Sequence, residues 1–85
     1  MKVELITPTG SFFDGEASKI TVPAIDGEMG ILENHADMLT ALGSGPVMLT
    51  KTDGSVFKMN LSGGGFLQVS KNEISILAES ATSID

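Results

Sequence analysis

The chain of 85 residues has no cysteine, tryptophan, tyrosine or arginine, and only three prolines. Without cysteine there are no disulfides and no thiolate metal ligands, so packing and strand pairing must supply the stability. Aromatic residues make up 5% and hydrophobic residues 41%. The interior must therefore be built from Ile, Leu, Val, Met and Phe, a composition that is globular and not disordered. Long apolar runs are missing too. None approaches the roughly 18 residues of a membrane-spanning helix, and Met1-Lys2-Val3-Glu4 lacks the charge-then-apolar pattern of an export signal. The expectation is a soluble chain with no direct membrane insertion. Positive charge is scarce: five lysines face eleven acids, a net charge of −6. That balance repels phosphate backbones, so nucleic acid is not an expected partner.

At this length the chain holds one domain, residues 1–85, which buries only about 60 to 65% of the surface its unfolded form exposes. The acidity is concentrated in the first half, where Asp26, Glu28, Glu33 and Asp37 fall close together without a lysine between them. Such a run is read either as a negative face toward a basic partner or as a solvated loop.

Period-two alternation dominates the apolar pattern: Val3 and Leu5, Ile20 and Val22, then Val56, Phe57, Met59 and Leu61, then Phe66, Leu67 and Val69, then Ile74 and Ile76. These are strands. Asp14-Gly15, Asp26-Gly27 and Asp53-Gly54 are read as tight turns, because both residue types tolerate positive φ. Short strands with glycine punctuation predict an all-β, flattened antiparallel sandwich or barrel of about ten short strands. Asn34 to Leu42 is the one stretch with helical potential, and it supports a short turn at most. Gly63-Gly64-Gly65 lacks the Lys-Ser/Thr pair of a phosphate loop and reads as a bulge or a corner where two sheets exchange strands.

Catalytic chemistry finds little support. His35 is the only histidine, and no nucleophile elbow accompanies it, so no catalytic residue is assigned. Asp26-Gly27-Glu28 supplies two acids but not the remaining ligands of a calcium loop, so no metal and no cofactor are assigned. Met29 lies between glycines beside these acids. It is either an exposed contact tip or a core residue like Ile31. Phe57 and Phe66 are placed in the core, and Phe12-Phe13 are left as partly exposed.

The order of motifs carries more than any one of them. Pro8-Thr9-Gly10 and Phe13-Asp14-Gly15 open the chain, followed by Pro23, Asp26-Gly27-Glu28-Met29-Gly30-Ile31-Leu32, His35-Ala36, Leu39-Thr40-Ala41-Leu42 and Gly45. Leu61-Ser62-Gly63-Gly64-Gly65-Phe66-Leu67-Gln68-Val69, Asn72 and Ile74-Ser75-Ile76-Leu77-Ala78-Glu79-Ser80-Ala81 complete the series. Together they resemble the epsilon subunit of F-type ATP synthases over nearly the whole chain. One departure is Glu33-Asn34, where the family usually has Pro-Gly before the histidine.

The resemblance implies a non-catalytic central-stalk rotor subunit, peripheral to the cytoplasmic face of a bacterial inner membrane, that links the gamma subunit to the polar loops of the membrane c-ring. It implies a c-ring contact through Asp26, Glu28, Met29, Gly30 and His35, with Glu28 facing a basic loop, and a gamma contact for which Phe12 and Phe13 are candidates. Most members continue into a helical hairpin that inhibits ATP hydrolysis and in some binds ATP. The expectation here is a short form without that hairpin, or a shortened piece, with no nucleotide site. The competing reading is a free-standing β-sandwich binding or adaptor module, whose mark would be an exposed aromatic platform.

Overall fold

The alternating residues form eight strands joined by short turns, described over residues 1–84 by a computed structural model. They are β1 (Lys2–Thr7), β2 (Gly10–Glu16), β3 (Lys19–Ala24), β4 (Gly27–Leu32), β5 (Met38–Leu42), β6 (Gly45–Thr50), β7 (Val56–Ser70) and β8 (Glu73–Ile84). There is no helix among the described residues. Asn34 adopts a left-handed φ of 64°, which ends β4 in a turn and starts no helix, and residues 38–42 pair as β5 instead.

β7 and β8 run through both layers. The first half of β7 pairs with β6, and its second half pairs with β5. β8 follows β7 across the bend, with Ile74 to Leu77 also pairing with β1 in parallel. One layer is thus β2-β1-β8-β7-β5 and the other β8-β7-β6-β3-β4. Eight continuous strands supply ten sheet segments, because each of the two long strands serves twice. Among the described residues the β1–β8 pair is the one departure from antiparallel order.

The bend lies where the sequence has its glycine run. The β7–β8 register shifts between Ser62 and Gly65, and Gly63 and Gly64 take left-handed φ values of 85° and 79°. Gly65 has a different reason to be glycine: a Cβ there would lie 2.0 Å from the Leu77 carbonyl oxygen. The neighbouring strand backbone occupies the space that any side chain needs. Asp26-Gly27 and Asp53-Gly54 do fall at turns, but Asp14-Gly15 lies inside β2, and the β1–β2 turn is Pro8-Thr9. Its pairing with Glu4 and Val3 of β1 overrides the local turn preference.

Between the layers Val3, Leu5, Leu67, Val69, Ile74 and Ile76 face Ile20, Val22, Ile31, Val47, Leu49, Met59 and Leu61, all essentially inaccessible. Each such side chain contributes about 1.5 to 3 kcal/mol by leaving water. A bulge in β2, where the register shifts opposite Leu5 and Ile6, turns consecutive residues Phe12 and Phe13 inward, and both pack against the core. Phe13 stacks on Phe57 from the other layer with centroids 5.3 Å apart. The ammonium of Lys51 sits 5.8 Å from the centroid of Phe57.

Candidate functional site

The residues singled out from sequence divide between the two ends of β4. Asp26 stands with Ile25 at the exposed tip of the β3–β4 hairpin, and Glu28, two residues on, lies exposed opposite Pro23. Met29 lies opposite Val22 at the base of the tip and is half-buried against the core. Gly30 is exposed opposite Thr21.

His35 lies beyond the far end of that strand. Six residues of strand at about 3.3 Å each place it roughly 20 Å from the tip. There its ring Nδ1 donates to the Ala36 carbonyl at 2.7 Å. The surrounding 33–37 segment is clamped to the β7–β8 turn. Asn34 N donates to Asn72 Oδ1 at 2.7 Å, and Lys71 N donates to Asp37 Oδ1 at 3.0 Å. Lys71 and Asn72 both adopt left-handed φ, 51° and 63°, the conformation of the tight hairpin turns that match strand twist. The acids that crowd together in sequence are therefore two groups in space: Asp26 and Glu28 at one end, Glu33 and Asp37 at the other.

Glu33 has a structural partner. The amino group of Met1, almost wholly buried, donates to Glu33 Oε1 at 2.6 Å and to the Ala17 carbonyl at 3.0 Å, with Glu16 Oε1 at 3.6 Å. The hydrogen bond to Glu33 raises the amine above its ordinary value of 8.0, against the opposing effect of burial and with help from the charges of Glu33 and Glu16.

The tip adjoins a surface that the sequence reading missed. Ile25 N donates to the Ala41 carbonyl at 3.1 Å, and Ala41 begins a row across the outer face of one layer: Ala41 opposite Phe66, Phe66 opposite Leu77, Leu77 opposite Ile6. Phe66 is 57% exposed, Leu77 55%, and Leu39, on the same face, 72%. At about 4.8 Å between strands the row is roughly 15 Å wide. Phe66 is therefore not a core residue, as its apolar character had implied. The signal was present in adjacent apolar pairs. In Phe66-Leu67, Ile76-Leu77 and Met38-Leu39, one member must face outward on a period-two strand once Leu67, Ile76 and Met38 face in. Beyond this row the same face is polar, with Gln68, Ser70, Glu73 and Ser75 beside Lys71 around a shallow depression.

An exposed apolar row running into an acidic hairpin tip is the kind of surface on which a partner docks. The chain belongs to the family described as ATP synthase, Delta/Epsilon chain, beta-sandwich domain, whose model matches residues 1–84. It is 44% identical over 82 residues to the ATP synthase epsilon chain of Symbiobacterium thermophilum, covering 95% of this chain and 58% of that one. It is 38% identical over 89 residues to the chloroplastic ATP synthase epsilon chain of Tetradesmus obliquus, covering 100% of this chain and 63% of the relative. Among solved structures, a chain in the cryo-EM structure of the Euglena gracilis mitochondrial ATP synthase OSCP/F1/c-ring assembly superposes with a TM-score of 0.88 at 25% identity, covering 98% of this chain and 54% of that one. The chain thus spans about three-fifths of the length of the curated relatives it matches.

Proposed function

We propose that this chain is the β-sandwich of an ATP synthase epsilon subunit, a non-catalytic rotor part that joins the gamma subunit to the c-ring at a membrane-associated ATP synthase. The observation that carries the reading is the continuity of the apolar row Ile6, Leu77, Phe66 and Ala41 with the acidic tip at Asp26 and Glu28, on a chain of this family. Gamma docks on the apolar row. Its packing there removes exposed Phe66 and Leu77 from water, and Phe12 and Phe13 support the sheet edge from behind without touching gamma.

The tip meets the polar loops of the c-ring, where Asp26 and Glu28 supply steering and register toward basic side chains. His35, at the other end of β4, lies outside that contact. The subunit transmits torque between the two partners and carries out no bond chemistry of its own. The coarser support is that the similar Euglena gracilis structure is described as an assembly containing a c-ring.

The test is a titration of tagged gamma subunit and of isolated c-ring against the chain and two variants. Phe66→Ser is expected to weaken gamma binding at least tenfold, since about 1.4 kcal/mol is one decade and losing an exposed aromatic anchor costs that or more. Glu28→Ala is expected to leave gamma binding intact and to weaken the c-ring contact by about 0.5 to 1 kcal/mol, the magnitude of a rim charge. Unchanged gamma binding by Phe66→Ser removes the apolar row from the reading. Unchanged c-ring binding by Glu28→Ala removes the tip.

A further inference from the structure

Three Asp-Gly pairs occur in this chain, and the fold places each in a different setting. At such a pair the backbone nitrogen of glycine approaches the aspartate side chain with the least obstruction, because glycine has no Cβ. We propose that Asp26 is a site of spontaneous isomerisation to isoaspartate through a succinimide, and that the fold protects Asp14 and Asp53 from the same reaction.

The chemistry needs nothing beyond the chain and water. The Gly27 nitrogen attacks Cγ of the protonated Asp26 carboxyl, forming a C–N bond, while the carboxyl hydroxyl leaves with the amide proton as water. A five-membered imide results. Water then adds at the main-chain carbonyl of Asp26 and breaks its bond to the Gly27 nitrogen. The chain now runs through the former side chain, and the main-chain carbonyl carbon has become the free carboxylate. One water is lost and one regained, with no change of mass or oxidation state.

Asp14 and Gly15 are held extended in β2 by pairing with Glu4 and Val3, and a Cβ on Gly15 would lie 3.2 Å from the Phe13 ring. Closing an imide there requires leaving the strand and moving that ring. Asp53 is exposed but engaged. Its Oδ1 accepts hydrogen bonds from Ser55 N at 2.9 Å and Ser55 Oγ at 2.6 Å, while Gly54 N donates to the Lys51 carbonyl at 2.9 Å. The Ser55 hydrogen bonds hold the Asp53 carboxyl below its ordinary range, which keeps it ionised and a poor electrophile.

Asp26 lacks the carboxylate hydrogen bonds of Asp53 and the enclosing strand of Asp14; among the described residues its one backbone restraint is the pairing of Gly27, the first residue of β4, with Ala24 across the turn. Asp26 and Gly27 are exposed at the hairpin tip, nothing lies within 4 Å of where a Gly27 Cβ would be, and the Asp26 carboxylate makes no hydrogen bond among the described residues. The strands below the tip are anchored, with Ile25 N on the Ala41 carbonyl at 3.1 Å and Gly43 N on the Pro23 carbonyl at 2.8 Å. Rearrangement at the tip therefore leaves the sheet in place. The product carries one more methylene in a two-residue turn and a displaced negative charge.

The experiment ages the purified folded chain for several weeks at neutral pH and physiological temperature. Isoaspartate at each of the three positions is then measured by electron-transfer fragmentation of a peptide map, with enzymatic methylation of isoaspartyl carboxyls as an independent readout. The same ageing in denaturant is the comparison. Isoaspartate is expected to accumulate at Asp26 several-fold faster than at Asp14 and Asp53 in the folded chain, with the three rates converging in denaturant. The variant Ser55→Ala, which changes only an exposed turn, is expected to raise the rate at Asp53. Folded-state accumulation at Asp26 no faster than at the other two overturns the proposal, as does an order of rates that persists in denaturant.

Discussion

At the scale of single residues, the Met1 amino group is the clearest case of a charge held by its surroundings. It is nearly inaccessible and bonded to Glu33 at 2.6 Å, so ionisation is favoured in the folded state and its proton is held more tightly than in the unfolded chain. The sign of the linkage follows. A group whose folded value is raised contributes stability that is fully present below its unfolded value of 8.0 and is lost as pH rises through the higher folded value. Chemical denaturation of the chain is therefore expected to show declining stability above pH 8.0. Glu33→Gln, which keeps the shape but removes the carboxylate, is expected to flatten that decline and to lower stability at neutral pH by about 1 kcal/mol. A variant with an unchanged slope would show that the ion pair contributes nothing to folding. The same pairing explains why Glu33 does not belong with Asp26 and Glu28: its carboxylate is occupied with the amine at the opposite end of β4.

At the scale of elements, the corner in β7 and β8 decides the architecture. Two long strands change layers together, and their register slips between Ser62 and Gly65 so that both can bend. Gly63 and Gly64 supply the left-handed dihedrals, Gly63 N is taken up by Ser44 Oγ at 3.0 Å, and Gly65 leaves room for the Leu77 carbonyl. Gly65→Ala forces a methyl group against backbone that has nowhere to move, and is expected to cost at least about 3 kcal/mol. For a domain of this size that is a fall in Tm of roughly 12 to 24 °C, measurable by circular dichroism. A fall of under about 5 °C would mean that the two strands can separate locally at the corner at little cost. The glycine run was legible in sequence as a corner because consecutive glycines, with no side chain to pack and free access to positive φ, let a strand bend. Asp14-Gly15 was misread as a turn because local turn preference is weak beside the pairing of a complete strand with β1.

At the scale of the whole molecule, the first strand pairs in parallel with the last, Val3 opposite Ile74 and Leu5 opposite Ile76. Nearly the entire chain lies between partners, so that pairing is reached only after a large loop closes. Refolding from denaturant is therefore expected to be single-exponential and slow, in the range of milliseconds to seconds, when followed by stopped-flow circular dichroism. A microsecond phase carrying the full amplitude would contradict a fold governed by these distant contacts. The two surfaces in the proposed function depend on the same closure. β1 brings Ile6 beside Leu77, and the bend in β7 brings Phe66 beside Ala41, so the apolar row does not exist until the sandwich is complete.

Alternation and glycine placement in the sequence alone determined the all-β class, the core positions Val3, Leu5, Ile20 and Val22, and the exposed acidic tip at Asp26. These follow from period-two geometry and from backbone preferences that act within a few residues. The tertiary structure alone decided which of two adjacent apolar residues faces solvent, so that Phe66 and Leu77 form a surface, and it separated His35, Glu33 and Asp37 from Asp26 and Glu28. The physical reason is that an extended strand carries neighbours in sequence some 20 Å apart, while strand pairing brings residues from opposite ends of the chain within side-chain contact.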